Sequence, residues 1–129
     1  MQEQSIRLEE LIQAVREDRD GAVAVFLGTV RNHNLGRKVL YLEYVAYPEM
    51  AVREMEKIRT AALERFDVDR MAMVHRTGRL EIGETSVAVV IASAHREAAI
   101  EACRYAIDAL KERVPIWKKE FFDGGDAWI

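Results

Sequence analysis

The sequence predicts an α+β fold with a largely antiparallel sheet and packed helices. Amphipathic helical segments and short runs rich in β-branched residues follow one another in the order α-β-β-α-β-β-α-β-β. Pairs of strands between single helices favour antiparallel pairing, whereas a strict β-α-β alternation favours a parallel sheet. The chain has 129 residues, the size of one compact domain, so we expect residues 1–129 to form a single domain.

The first part of the chain predicts one helix and two strands. Residues 5–17 place apolar side chains at helical spacing, with Ser5 as a plausible N-cap. Residues 21–30 form an apolar run typical of a buried strand. A polar loop, residues 31–38, leads to a second strand at residues 39–46. This pair of strands is compatible with a hairpin that has a long loop.

The middle of the chain predicts a helix followed by two strands. Pro48 suits the first turn of a helix, and the stretch to Arg65 has one apolar side. Residues 70–76 alternate as in a strand. Residues 77–84 form a connection that contains two glycines, and residues 85–93 are predicted as a strand with particular clarity.

The last part of the chain predicts a helix and two strands. Residues 96–113 have one apolar and one charged face, and Pro115 ends the helix. Residues 116–129 read as a strand, a Gly-Gly turn and a short terminal strand.

Composition excludes several classes of protein. The formal net charge of −3 provides no general positive field for nucleic acid. We expect no secretory signal and no membrane span, and therefore a cytoplasmic protein. One cysteine excludes an internal disulfide, and the three histidines lack short ligand spacing, so we expect no metal site. No cofactor is indicated.

The loop of residues 31–38 is the first candidate for chemistry. It holds three permanent cations and no acid. Arginines and side-chain amides at a strand end can position a phosphate. The alternative is an ordinary solvated loop.

The junction Ser93–Arg96 is the second candidate. Free N–H groups at the start of a helix favour anions, and His95 and Arg96 add further donors there. Cations in the first turn oppose the helix dipole, so stability alone would not select them. The alternative makes His95 a capping residue.

Three lysines around Pro115 form the third candidate. Lys118 and Lys119 alternate in a predicted strand, so only one of them can face a given pocket. A lysine near other cations has a lowered pKa and can act as a base or nucleophile. Lys111 lies on the charged face of its helix, where lysines are commonly only solvated.

Cys103 is predicted to be structural. It shares the apolar helix face with Ala99, Ala106 and Leu110. A thiol buried among apolar groups has a raised pKa and reacts poorly. Sulfur chemistry in this protein would therefore need a sulfur carried by something else.

Several short motifs, in this order, resemble the MoaE family, the catalytic subunits of molybdopterin synthase. The resemblance extends from about residue 20 to the C-terminus. The motifs are Phe26-Leu27-Gly28-Thr29-Val30-Arg31-Asn32-His33-Asn34, Glu43-Tyr44 with Tyr47-Pro48, His75-Arg76-Thr77-Gly78, Ser93-Ala94-His95-Arg96, Leu110-Lys111, Pro115-Ile116-Trp117-Lys118-Lys119-Glu120 and Gly125-Asp126-Ala127-Trp128.

The resemblance implies a sulfurtransferase of molybdenum cofactor biosynthesis. It implies an α+β fold of the α/β hammerhead type, a homodimer, and a heterotetramer with a small ubiquitin-like sulfur carrier. The carrier's Gly-Gly terminus bears a thiocarboxylate. Two sulfurs pass from it to cyclic pyranopterin monophosphate (precursor Z), which becomes molybdopterin.

The resemblance also implies roles for particular residues. Lys111 and Lys118 match lysines placed beside the carrier's terminus and the reacting carbons. The residues implied to bind substrate are Arg31, His95, Arg96, Lys119, Glu120, Thr29 and Val30. Thr29 departs from the pattern, because many members have a lysine at that position.

Two other functions compete with this reading. A non-catalytic dimeric module that binds a phosphorylated metabolite would explain Arg31, His95 and Arg96 but would give Lys111 and Lys118 no task. A phosphate-ester hydrolase would need a metal or a better nucleophile than the sequence offers.

Overall fold

The computed structural model describes residues 1–129 and contains three helices and eight strands. The helices are α1 (Leu8–Val15), α2 (Pro48–Arg65) and α3 (Arg96–Arg113). The strands are β1 (Ala22–Thr29), β2 (His33–Asn34), β3 (Arg37–Ala46), β4 (Arg70–His75), β5 (Gly78–Glu81), β6 (Thr85–Ser93), β7 (Ile116–Phe122) and β8 (Gly125–Trp128).

The strands form two sheets in which every pairing is antiparallel. One sheet has the order β1-β6-β4. The other has five strands. Four of them have the order β2-β3-β7-β8, and the fifth, β5, also pairs with β3. The predicted α+β class with a largely antiparallel sheet is therefore confirmed.

The main core lies between the three-stranded sheet and helices α2 and α3. Sixteen buried residues form this cluster, contributed by both helices and by β4 and β6. Every residue of β6 after Thr85 is buried, because helices cover both of its faces. On the second face, Val15 of α1 packs against Val90 and Ala92. The central position of β6 explains its continuous apolar sequence.

The helix predictions for α2 and α3 are confirmed, but α1 is shorter than predicted. Ser5 does not cap α1, which begins after Arg7 and has no side-chain cap. The preceding segment instead runs along the end of β4: the Gln2 amide donates to the His75 carbonyl, and Arg76 donates through Nε and Nη2 to the Glu3 carbonyl at 3.0 and 2.8 Å. These contacts keep the segment extended.

The predicted long-looped hairpin is wrong. β1 pairs with β6, whereas β3 pairs with β5 and β7 in the other sheet. The intervening loop forms its own small hairpin, β2–β3, with Leu35 and Gly36 at its turn. Both turn residues have positive φ, 51° and 76°, as a two-residue hairpin turn of the primed type requires.

Cys103 is a free, buried thiol in the main core, as predicted from its helix face. Burial raises its pKa, so the unreactive thiol form is favoured. No helix is both long enough and apolar enough to pass through a bilayer.

Candidate active site

A cavity of about 500 Å³ lies where the two sheets meet the C-terminal end of α3. Three cationic side chains reach it from different parts of the chain. Arg31 follows β1, Lys111 lies in the last turn of α3, and Lys118 lies on β7. In a protein with a net negative charge, this convergence makes a local site for an anion.

The end of β1 is shaped by a close approach to β6. The β1–β6 register shifts between Gly28 and Thr29. A Cβ atom at Gly28 would lie 2.6 Å from Cγ1 of Val87, so only glycine lets the strands come this close. An irregularity of this kind redirects the strand that carries it. Thr29 and Arg31, which follow it, both line the cavity.

Lys118 faces the cavity from the second sheet. It lies opposite Tyr44 in the β3–β7 ladder, so the two side chains share a face. Burial lowers the pKa of the Lys118 amine, and the charge of Lys111 lowers it further. Glu120 opposes this shift, and Arg31 adds to it. The amine can therefore shed a proton more readily than an ordinary lysine, which is what a base or proton shuttle needs.

Two aromatic residues form a wall of the cavity. Tyr44 and His75 pack edge to face with ring centroids 5.0 Å apart, and this contact joins the two sheets. Burial raises the pKa of Tyr44, opposed by the Ser86 hydroxyl, so the phenol stays protonated. Burial lowers the pKa of His75, so its imidazole is neutral near pH 7.

A smaller cavity of about 100 Å³ shares Thr29, Arg31 and Lys118 with the larger one and is also lined by Glu120. The Glu120 side chain is 2% exposed. The Asn34 amide donates to its Oε2 at 3.0 Å, and the Arg37 guanidinium lies 3.8 Å from Oε1. Arg37 also stacks 4.0 Å from the ring centroid of Phe122. Glu120 thus holds the β2–β3 hairpin against β7.

The structure brings together some of the residues singled out in the sequence and separates others. Arg31, Thr29, Lys111 and Lys118 all line the main cavity. His95 and Arg96 do not, since they are exposed at the opposite end of α3. Arg96 and Lys111 are fifteen positions apart on the helix, a distance of about 22 Å along the axis. Within one chain His95 and Arg96 therefore do not converge with Arg31, Lys111 and Lys118.

Three further expectations need correction. Lys119 points away from the cavity, with its amine 3.6 Å from Asp126 and 5.3 Å from the Trp128 ring centroid. Val30 is buried in a separate small core, and its backbone N–H and C=O both bond within the chain, to Glu84 and Gly83. Neither residue is placed to contact a ligand in the cavity. Of the three loop cations, Arg31 alone lines the cavity.

Sequence reasoning missed Tyr44, His75 and Ser86 as cavity residues. Tyr44 and His75 occur in the motifs quoted above, but their spacing suggested no shared site. They lie 31 positions apart, on strands of different sheets. Alternation along each strand could have shown which face each residue occupies, but not that the faces meet.

Comparison with known proteins gives consistent results. The family model described as MoaE protein matches residues 1–113. The chain is 47% identical to the molybdopterin synthase catalytic subunit of Pyrococcus abyssi over 126 residues, which cover 98% of this chain and 85% of the relative.

Solved structures are similar over nearly the whole chain. Molybdopterin synthase from Staphylococcus aureus superposes with a TM-score of 0.95 at 38% identity, covering 98% of this chain and 93% of that one. A complex of subunits 1 and 2 of the molybdopterin-converting factor from Helicobacter pylori contains a chain similar to this one, with a TM-score of 0.80 at 26% identity, covering 98% of this chain and 87% of that one.

Proposed function

Because this chain belongs to the MoaE protein family, we infer that it is a molybdopterin synthase catalytic subunit, acting in molybdenum cofactor biosynthesis. We propose that it works as a sulfurtransferase on cyclic pyranopterin monophosphate. The observation that carries this chemistry is the meeting of Arg31, Lys111 and Lys118 in one cavity. A phosphorylated pterin and a thiocarboxylate are both anions, and these cations can hold them side by side.

Each cation has a task in the proposed chemistry. Arg31 offers a planar fork of donors that suits the phosphate of the pterin. In the proposed reaction, the thiocarboxylate sulfur meets the substrate carbon beside Lys111 and Lys118, which line the same cavity as Arg31. Once sulfur has moved, water hydrolyses the carrier's acyl link. A lysine ammonium can then stabilise the oxyanion that forms.

Lys118 is the better candidate for moving protons. Its lowered pKa makes the neutral amine accessible, so it can accept a proton during the reaction and return it when the cyclic phosphate opens. A non-catalytic metabolite-binding module would have no use for a lysine held in this way. This feature favours catalysis over the module.

We propose that the site is completed by a second copy of the chain. His95 and Arg96 are exposed at the N-terminal end of α3, where free N–H groups also favour anions. They are too far from Lys111 to act within one chain. In a symmetric dimer the same patch of a partner could approach this cavity. The proposed assembly is then a homodimer with two equivalent shared sites.

We further propose that the sulfur donor is a small ubiquitin-like carrier with a Gly-Gly thiocarboxylate, giving a heterotetramer. The similarity to a chain of the Helicobacter pylori complex supports a partner protein. Buried Cys103 supports it as well, since the chain offers no accessible thiol of its own. Lys119 and Glu120 are assigned supporting roles on β7 instead of substrate contacts.

Reconstitution tests the proposal. The purified chain, a thiocarboxylated carrier and cyclic pyranopterin monophosphate should together yield molybdopterin, while omission of the chain or use of an unmodified carrier should yield none. Absence of both product and a stable complex with the carrier would favour the metabolite-binding module instead.

A further inference from the structure

His75 is a cavity residue for which the proposed chemistry has no role so far. It is the last residue of β4, is 5% exposed, and lines the main cavity next to Tyr44. Buried polar side chains almost always find hydrogen-bond partners within the protein. His75 is satisfied on one ring nitrogen only.

The hydrogen bonding of His75 determines its tautomer. Nδ1 lies 2.7 Å from the carbonyl oxygen of Arg76. A carbonyl oxygen can only accept, so Nδ1 must carry the proton and donate it. In the neutral ring, Nε2 then bears a free lone pair. Nε2 forms no hydrogen bond within the chain. It is nevertheless not sealed from solvent. Because His75 lines the main cavity, the cavity is where a ligand could reach this accessible nitrogen.

The surroundings keep this imidazole neutral. Burial lowers the pKa of His75, the Arg76 carbonyl opposes the shift, and the N-terminal amine and Lys118 add to it. The other charged side chains that line the cavity, Arg31 and Lys111, are cations too. Tyr44, packed against the ring, keeps its proton. No Asp or Glu side chain lines this cavity, although the last residue of the sequence, Ile129, does.

Nε2 differs chemically from the charged groups around it. Arg31, Lys111 and Lys118 present donors when charged, and the Ser86 hydroxyl already donates to the Gly28 carbonyl at 3.2 Å. The cavity thus combines a cluster of cations with a fixed acceptor. Such a lining matches a ligand that is anionic at one end and carries N–H or O–H groups at the other.

We propose that His75 orients the substrate by accepting a hydrogen bond from an N–H of the pterin ring, while the cations hold the phosphate. This inference rests on the proposed function and adds a specificity-determining residue to it. A phosphorylated compound of similar size without a ring N–H would leave Nε2 buried and unpaired, and would bind more weakly.

Binding of substrate in the absence of the carrier tests this role directly. The Kd of cyclic pyranopterin monophosphate is measured by calorimetry for the wild type, His75→Phe and His75→Gln. Phe keeps the ring packing but lacks the acceptor, so Kd should rise about ten-fold or more. Gln can place an amide oxygen near the position of Nε2 and should restore most of the affinity. The Kd of inorganic phosphate, the control probe, should be similar in all three proteins.

The pH dependence separates this role from a structural one. In the wild type, pterin affinity should fall as the pH drops through the lowered pKa of His75, because a proton on Nε2 turns the acceptor into a donor. His75→Gln should lack this acidic limb. The comparison needs only wild type and His75→Gln, so it stands even if the Phe variant folds poorly.

Three results would overturn the inference. These are an unchanged pterin Kd in folded His75→Phe, an equal loss of phosphate affinity, and an acidic limb that persists in His75→Gln. If His75→Phe binds the pterin with a normal Kd but turns over slowly, His75 acts through its neighbour Lys118. That result would also reject a role in substrate recognition. If the wild type itself does not bind the pterin, the proposed function fails and this inference with it.

Discussion

Lys118 and Lys119 are neighbours on β7 whose side chains leave opposite faces of the sheet. Lys118 enters the cavity between the two sheets, while Lys119 lies against Asp126 and Trp128 on the outer face. Two lysines in consecutive positions are thus placed in different environments: Lys118 faces the candidate active site, and Lys119 does not. This relationship supplies a matched control for the catalytic assignment.

Lys118→Ala and Lys111→Ala should each lower molybdopterin formation by about 100-fold or more, because each removes a group beside the reacting atoms. Lys119→Ala should keep most of the activity. The measurement is product formed from purified substrate and thiocarboxylated carrier, with circular dichroism to confirm folding. Near-normal rates in both Lys118→Ala and Lys111→Ala would remove the lysine assignment.

The depressed pKa of Lys118 has consequences for labelling and for stability. Its amine should react with a lysine-selective acylating reagent at lower pH in the folded chain than in the unfolded chain, and Lys111→Met should reduce this difference by removing a neighbouring charge. Between the lowered pKa and the ordinary lysine value, the folded chain binds fewer protons than the unfolded chain. The contribution of Lys118 to stability therefore rises with pH across that window. An unshifted pH profile for the acylation of Lys118 would contradict the assignment.

Shared sites predict complementation between inactive subunits. Lys118→Ala and Arg96→Ala should each be inactive alone. If Arg96 serves the cavity of its partner, a hybrid dimer contains one intact site, and an equimolar mixture refolded together should recover roughly a quarter of wild-type activity. A mixture of Lys118→Ala with Lys111→Ala is the control and should recover none, since both residues line the same cavity. No recovery in the first mixture would mean that the sites are not shared.

Gly28→Ala should destabilise the wall of the cavity. The added methyl group would meet Cγ1 of Val87 at 2.6 Å, and a buried, branched side chain in a central strand has little freedom to move. We expect a loss of about 1–3 kcal/mol in the free energy of unfolding, measured by urea denaturation. Gly83→Ala is a poor control because of its positive φ. Gly125→Ala on β8 is the matched control, because its φ is not positive and the added methyl group would come no closer than 3.5 Å to another heavy atom. An unchanged stability would show that β1 and β6 can separate freely at this point.

Cys103→Ala should remain active. Its thiol is buried in the main core, and burial raises its pKa, which makes it poorly suited to carry sulfur. The cost should be limited to packing, about 1 kcal/mol in thermal or urea unfolding. Complete loss of turnover in a folded Cys103→Ala protein would overturn a scheme in which the sulfur arrives on a partner.

Local patterns in the sequence were sufficient for much of the secondary structure. Pro48 begins α2 and Pro115 follows the end of α3, because the proline ring suits a first helical turn but cannot continue a helix. The apolar residues of both helices also recur at every helical turn. Alternation along β7 likewise separates Lys118 from Lys119 without reference to the rest of the chain. Ser5 is the counterexample, because distant contacts with β4 override its local preference for capping.

The sequence by itself determined the fold class, the two long helices and the buried state of Cys103, and it included Arg31, Lys111 and Lys118 among a larger set of candidate cations. Only the tertiary structure decided that β1 pairs with β6 and β3 with β7, and therefore that Arg31, Lys111 and Lys118 share a cavity with Tyr44 and His75 while His95 and Arg96 do not. The physical reason is that helix periodicity and strand alternation arise from neighbouring residues. The choice of strand partner depends instead on contacts between residues far apart in the chain, and no local pattern records it.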